Sequence, residues 1–85
     1  MEFRWSPSKS EELKRTRGVS FEEIIQAELV AVIEHPSRSN QNILLFNVGD
    51  YIWAVPCVER EGEIFLKTLF PNRKHTKLWR AGELA

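Results

Sequence analysis

The sequence predicts one α+β domain that spans residues 1–85, and three observations lead to this prediction. Helix-capping residues cluster between positions 6 and 23, whereas positions 29–70 hold runs of β-branched and aromatic residues separated by glycine-containing turns. The chain has 85 residues, 42% of them hydrophobic, which suits a single small globular domain. We expect an N-terminal strand and two helices packed on a four- to five-stranded, mainly antiparallel sheet, with a short C-terminal helix also possible.

The first elements are a short edge strand and a helix. Phe3 and Trp5 alternate with polar residues, which is the pattern of a strand with one apolar face. Ser6 is the expected N-cap of the helix and Pro7 its first residue, where the missing N–H costs nothing. Gly18 supplies the left-handed residue that ends this helix.

Two capping boxes are also encoded in this region. Ser20 and Glu23 form one, which predicts a second helix of only two turns directly after the first. Ser8 and Glu11 form the other, which competes with Ser6 as the start of the first helix.

Four strands are predicted after the helices. They cover residues 29–33, 42–48, 51–58 and 63–70, with turns at Gly49-Asp50 and Glu61-Gly62. Pro56 cannot donate a ladder hydrogen bond, so we expect it at an edge or a bulge. Beyond the last strand, Asn72 would cap the short C-terminal helix.

Alternation along the last strand places Lys67 with two apolar neighbours. Phe65, Lys67 and Leu69 are expected on one face, and Ile64, Leu66, Thr68 and Phe70 on the other. A lysine between apolar residues either extends its ammonium group to the rim of the sheet or projects into a cleft where it meets phosphate.

Charge is unevenly distributed although the formal net charge is zero. Residues 20–65 carry two cations and eight anions, whereas residues 66–80 carry five cations and no anion. A basic cluster without an internal acid indicates either a site for phosphates or acidic partners, or a solvated terminal face.

Several function classes are not supported by the sequence. The four glycines are too scattered for a phosphate-binding loop, and His35, His75 and Cys57 lack metal-ligand spacing, so no cofactor or metal is expected. Cys57 lies in an apolar strand, which favours an inert core thiol over a nucleophile. A single cysteine and the absence of a long apolar run predict a cytoplasmic protein without a membrane span.

The segment around His75 has the residue types that metal-free RNA cleavage requires. The reaction needs a base for the ribose 2′-OH and positive charge on the phosphate. Neighbouring cations disfavour imidazolium, so His75 is expected to be neutral near pH 7, while Arg73 and Lys74 hold the scissile phosphate. These three residues and Lys67 are the candidate catalytic residues. The alternative is that His75 is an ordinary exposed helix residue.

Cations from both ends of the chain are expected to form one pocket. In this prediction Lys9 and Arg15 lie beside Arg73 and Lys74 and attract one stretch of RNA. Tryptophan would add a base-stacking surface, although tryptophans in so small a domain are often core residues. The RNA-binding candidates are Lys9, Arg15, Arg17, Lys77 and Trp5.

Both ends of the chain resemble one protein family. Residues 3–9 read Phe-Arg-Trp-Ser-Pro-Ser-Lys, and residues 15–23 read Arg-Thr-Arg-Gly-Val-Ser-Phe-Glu-Glu. These stretches resemble the BrnT family of toxins from type II toxin–antitoxin pairs, which opens with Trp-Asp-Pro-x-Lys and continues at the same spacing to Lys-His-Gly-Val-Ser-Phe-Glu-Glu. Residues 63–77 resemble the final strand of that family and its Arg-Lys-Ala-Thr ending.

The resemblance implies a RelE-like fold and a metal-independent endoribonuclease that cleaves RNA by 2′-OH attack and inhibits translation. It also implies a small DNA-binding antitoxin, of ribbon-helix-helix or helix-turn-helix type, in a hetero-oligomer with the toxin. The chain departs from the family at three positions: Ser6 replaces Asp, Arg17 replaces His, and His75 stands where Ala is usual.

Two other functions are compatible with the sequence. Because Arg17 replaces the family histidine, the chain could be a non-catalytic RNA- or protein-binding module on the same scaffold. A toxin that acts on another target, such as gyrase, is the third hypothesis. Fragments that end in 2′,3′-cyclic phosphate would favour the enzyme, and RNA binding without fragments would favour the module.

Overall fold

The computed structural model describes residues 2–38 and 40–84, and within them the chain forms a mixed sheet of six strands with three helices. The elements in chain order are β1 (Glu2–Arg4), α1 (Pro7–Arg17), α2 (Phe21–Ile24), β2 (Glu28–Glu34), β3 (Gln41–Val48), β4 (Tyr51–Arg60), β5 (Glu63–Leu66), β6 (Phe70–Pro71) and α3 (Arg73–Arg80). The strand order is β1-β5-β4-β3-β2, and β6 pairs with β4. Only β1 and β5 are parallel neighbours among these pairs. The α+β prediction is confirmed.

The helix starts follow the predicted caps. The Ser6 side chain accepts a hydrogen bond from the backbone of Lys9, so Ser6 rather than Ser8 begins α1. Gly18 ends the helix at a φ of 86°, in the left-handed region where glycine is favoured. At α2, Ser20 and Glu23 form both hydrogen bonds of the predicted capping box. These local interactions fix the turn between α1 and α2.

Helices cover both faces of the sheet. On the face that we call the α1 face, Leu44 and Val55 lie in a buried cluster with residues of α1 and α2. On the opposite side, the α3 face, Leu45 and Ala54 pack with Trp79 of α3. Neighbouring residues of β3 and β4 therefore serve two separate clusters, as strand alternation requires.

The predicted last strand is interrupted by a bulge at residues 67–69. Leu66 pairs with Cys57 and Phe70 pairs with Ala54, so three residues of this segment oppose two residues of β4. One of those two is Pro56, whose expected position at a bulge is confirmed.

The bulge reverses part of the predicted alternation. Leu69 is buried in the α1-face cluster with Ile64 and Leu66, whereas Phe70 packs on the α3 face. The prediction that Leu69 shares a face with Lys67, and Phe70 with Ile64, is therefore wrong. An extra residue in a strand moves every later side chain to the other face.

The C-terminal helix α3 is attached to β4 through Ile52. The Ile52 backbone N–H donates to the hydroxyl of Thr76 over 2.9 Å, and the Ile52 carbonyl accepts from the backbone of Asn72 over 2.8 Å. Asn72 also caps the helix by accepting from the backbone N–H of His75 over 3.0 Å, as predicted. These contacts hold the first turn of α3 against the centre of the sheet.

One edge of the sheet is formed by β2 and the other by β1. Strand β2 pairs with β3 and with no other strand among residues 2–38 and 40–84. Its pairing is irregular between Leu29 and Ala31, where a bulge occurs. None of the described helices is long and apolar enough to cross a membrane.

Candidate functional site

Three cations of α3 line one open hollow. Arg73, Lys74 and Lys77 surround it with Leu78, and its volume is about 540 Å³. None of these cations forms an ion pair within the described part of the chain. Since no acid compensates them, this α3 hollow concentrates positive potential where a phosphate group could enter.

Lys67 lies in the bulge, close in the chain to the start of α3. Its backbone N–H donates to the carbonyl of Pro56 over 2.9 Å, which continues the ladder of β5 by one residue. The register therefore places the exposed Lys67 side chain on the α3 face, with Phe65. Lys67 and Phe65 therefore share a face of the sheet, as predicted, whereas Leu69 points to the opposite face.

Arg17, at the end of α1, contacts the same bulge. Its guanidinium donates to the carbonyl of Leu69 and, over 3.4 Å, to the hydroxyl of Thr68. Arg17 is thus the residue of α1 that reaches the segment carrying Lys67. Part of its hydrogen-bonding capacity is used to hold the bulge.

The predicted single pocket from both ends of the chain is wrong. Lys9 and Arg15 belong to α1, which packs on the α1 face, whereas the α3 hollow belongs to a helix on the other face. Lys9 pairs with Glu12 over 3.2 Å, and Arg15 lines a separate hollow that also contains Glu22. The sequence showed two basic segments but not which side of the sheet each helix covers.

Trp5, the base-stacking candidate, contributes to the core, and so does Trp79. Trp5 is half-buried and its ring centroid lies 6.2 Å from that of Phe21, tilted by 39°. Trp5 follows β1 rather than belonging to it, and the rest of its surface borders a shallow hollow beside Arg4. Trp79 packs in the α3-face cluster. Because each ring packs against core residues, neither is fully exposed for stacking.

His75 lies in the first turn of α3, next to the buried Thr76. It is half-buried, its Nδ1 is buried without a hydrogen-bond partner in the described chain, and it does not line the α3 hollow. Burial, followed by the charge of Lys74, lowers the pKa of His75. The expected neutral imidazole is therefore supported, but burial contributes more than the neighbouring cation, which was the predicted cause.

Cys57 has the properties of a core thiol. It is 2% exposed and belongs to the α1-face cluster. Burial raises the pKa of the thiol, and the Sγ atom donates weakly to the carbonyl of Asn42 over 3.5 Å. A protonated, buried thiol is a poor nucleophile, so the inert interpretation agrees with the structure.

A second concavity on the α3 face was not identified from the sequence. It has a volume of about 470 Å³ and we call it the Phe65 cleft. Its lining residues are Arg4, Val58, Arg60, Glu63 and Phe65. Phe65 is 47% exposed and lies between Arg4 of β1 and Val58 of β4 in the register. The exposed ring was visible in the alternation pattern, but its neighbours depend on the parallel pairing of β1 with β5.

The α1 face carries a smaller, apolar hollow beside β2. Leu29 and Val32 border it and are 48% and 53% exposed, and its volume is about 160 Å³. No cation lines this hollow. In residues 2–38 and 40–84, no three His, Cys, Asp or Glu side chains come together as a metal site would require.

Comparisons with protein-family models, with curated proteins and with solved structures gave no match to this chain. What this chain does must therefore be inferred from its own residues and their geometry.

Proposed function

We propose that this protein is the toxin of a type II toxin–antitoxin pair, and that it cleaves RNA without a metal and thereby inhibits translation. The observation that carries the proposal is the α3 hollow, in which Arg73, Lys74 and Lys77 have no acidic partner. Hydrogen bonds between Ile52 and the first turn of α3 fix the helix that carries these cations relative to the sheet. Positive charge fixed before substrate binds is what stabilises a phosphorane-like transition state.

The proposed reaction is an internal attack on the RNA backbone. The ribose 2′-oxygen loses its proton and bonds to the adjacent phosphorus, and the bond to the 5′-oxygen of the next nucleotide breaks. The departing 5′-oxygen takes a proton, so the products are a 2′,3′-cyclic phosphate and a 5′-hydroxyl. Arg73 donates two hydrogen bonds to two oxygens of the phosphate, and the ammonium groups of Lys74 and Lys67 stabilise its negative charge.

His75 is the proposed base for the 2′-OH: it follows Lys74 in the chain but does not line the α3 hollow, so the reacting ribose must lie at the margin of the hollow. Its lowered pKa keeps the imidazole neutral and able to accept a proton near pH 7. Because Nδ1 is buried, the accepting atom is Nε2. General-base help of this kind contributes on the order of 10²–10⁴-fold to a rate, and the cations account for the remaining acceleration.

Purified protein with single-stranded RNA in EDTA tests this proposal. We expect fragments with 2′,3′-cyclic phosphate ends, and no cut at a position where the 2′-OH is replaced by hydrogen. Arg73→Ala should lower the cleavage rate by about 10²–10³-fold. Arg38→Ala, which removes an exposed loop cation, is the charge-matched control and should cleave normally. Binding without any fragments would contradict the ribonuclease.

The second candidate is a non-catalytic RNA- or protein-binding module, and the geometry of Arg17 favours it. Where the BrnT family has histidine, this chain has an arginine that hydrogen-bonds to the bulge. His75, the remaining imidazole near the cations, lines no part of the α3 hollow. Under this hypothesis the protein binds RNA with the same cations but yields no 2′,3′-cyclic ends.

The proposed partner is a small DNA-binding antitoxin that forms a hetero-oligomer with this chain in the cytoplasm. It neutralises the toxin by covering the α3 hollow with acidic or apolar residues, since these match the exposed cations and Leu78. In the complex, Arg73 and Lys74 should be protected from reaction with guanidine- and amine-modifying reagents. Unchanged modification of both residues in the complex would contradict this arrangement.

A further inference from the structure

The Phe65 cleft combines an exposed aromatic ring with groups that can bind a nucleotide. Phe65 is a large apolar side chain left 47% exposed on the α3 face. Its neighbours across the strands are Arg4 and Val58, so the ring has an apolar residue on one side and a guanidinium on the other. The volume of about 470 Å³ lies within the range of small-ligand pockets, about 300–1,000 Å³.

Of the two arginines that line the Phe65 cleft, Arg4 is held in ion pairs and Arg60 is not. Arg4 donates to Glu63 over 2.9 Å and also pairs with Glu2 at 3.8 Å. Such a pair presents a positioned donor and acceptor to the polar edge of a base. Arg60 lies opposite Glu63 in the register, but it forms no ion pair within the described residues while Glu63 bonds to Arg4, so the Arg60 guanidinium can turn to a phosphate.

The cleft and the α3 hollow lie on the same side of the molecule. Lys67 follows Phe65 by two positions on β5 and its extension, so both side chains point to the α3 face. Beyond Lys67 the chain pairs as β6 and then enters α3 at Arg73. A strand of RNA that follows this segment meets the aromatic ring first and the cations of the hollow afterwards.

We infer that the Phe65 cleft is a base-binding subsite for single-stranded RNA, in which one nucleobase stacks on Phe65 and the adjacent phosphate binds Arg60. The inference rests on the proposed function for the identity of the ligand. Stacking on an exposed aromatic ring tolerates every base, because each base has a π face. The subsite would therefore add affinity and set the distance between the bound base and the scissile phosphate.

Binding of an RNA that cannot be cut tests the subsite separately from catalysis. The probe is a six-nucleotide RNA with 2′-O-methyl riboses and one 2-aminopurine, whose fluorescence is quenched on stacking. Phe65→Leu keeps an apolar side chain and removes the ring, and it should weaken binding by roughly 5- to 150-fold. Phe65→Trp should restore both affinity and quenching. Val32→Ala, at a similarly exposed position on the α1 face, is the control and should bind as the wild type does.

An abasic probe completes the experiment. Removing the base that stacks should weaken binding to the wild type but not to Phe65→Leu, because that variant no longer gains from the base. Arg60→Gln should reduce the dependence of log affinity on log salt by about 0.7, the contribution of one phosphate contact on a single strand. Equal affinity of wild type and Phe65→Leu for the intact probe would overturn the subsite. If the wild type cleaves RNA but binds the probe no better than Phe65→Leu does, the subsite fails and the ribonuclease stands. If the wild type binds better than Phe65→Leu but does not cleave, the ribonuclease fails and the subsite stands.

Discussion

The guanidinium of Arg17 donates a hydrogen bond to the carbonyl oxygen of Leu69 and so joins the end of α1 to the bulge between β5 and β6. Leu69 is buried in the α1-face cluster, whereas Lys67, two residues earlier, is exposed on the other face. The contact therefore fixes the point at which the chain changes faces. It gives an arginine at this position a structural role that needs no contact with RNA.

Replacing Arg17 with alanine should loosen the bulge. We expect a loss of about 1 kcal/mol in the free energy of unfolding, because the hydrogen bond joins a partly exposed cation to a carbonyl. RNA cleavage should fall by about tenfold, the effect of roughly 1.4 kcal/mol at the transition state, as Lys67 loses its fixed position. Urea unfolding and cleavage assays on the same preparations measure both effects. Abolished cleavage with unchanged stability would instead mean that Arg17 contacts the RNA.

Thr76 should be required to hold α3 in place. Thr76 is 1% exposed. Its hydroxyl accepts a hydrogen bond from the backbone N–H of Ile52 and donates one to the carbonyl of Asn72 over 2.7 Å. Thr76→Val keeps the shape but leaves the Ile52 N–H without its acceptor, which should cost about 1–3 kcal/mol of stability. Thr16→Val is the control, because that hydroxyl is exposed and bonds only within α1. Equal unfolding midpoints for the two variants would show that the hydroxyl does not anchor α3.

Salt dependence should distinguish the cations of α3 from those of α1. Each phosphate contact on a single strand contributes about 0.7 to the slope of log affinity against log salt. Lys74→Ala should therefore reduce the slope by about 0.7, whereas Lys9→Ala should leave it unchanged, since Lys9 pairs with Glu12 on the other face. Fluorescence titrations of single-stranded RNA at four salt concentrations provide the slopes. Equal reductions in both variants would restore the hypothesis of one merged pocket.

His75 should make stability depend on pH. Its pKa is lowered in the folded protein, so between that value and the unfolded value of about 6.5 the unfolded chain binds more protons. The contribution of His75 is then complete above pH 6.5 and is lost as the pH falls toward the folded value. The free energy of unfolding should drop between pH 7.5 and pH 5.5 by more in the wild type than in His75→Gln. Equal drops would exclude a buried, neutral His75.

Interactions between residues close in the chain could be predicted from the sequence. Ser6, the pair of Ser20 and Glu23, and Asn72 cap their helices as expected, because each side chain bonds to a backbone group within three positions. The turn at Gly18 follows for the same reason. Propensity and capping are local, so neither depends on how the sheet is assembled.

The faces of the sheet and the neighbours of Phe65 could not be predicted. Arg4 lies beside Phe65 only because β1 pairs in parallel with β5, and nothing local in either segment specifies that pairing. The bulge could not be predicted either, because it depends on how residues 67–69 fit against β4 and not on the alternation of polar and apolar residues within them. Placement of α1 and α3 on opposite faces follows from the same assembly and separates Lys9 from Lys74.

The free edge of β2 has a consequence for how copies of this protein meet at high concentration. Glu28 and Glu34 stand at the two ends of this strand, so two copies that approach edge to edge in an antiparallel manner bring like charges close together, and like charges repel. The bulge between Leu29 and Ala31 also interrupts the flat row of donors and acceptors that ordered fibrils extend. We therefore expect this edge to resist edge-to-edge polymerisation in spite of the exposed Leu29 and Val32, and removing both glutamates should make the chain prone to form fibrils.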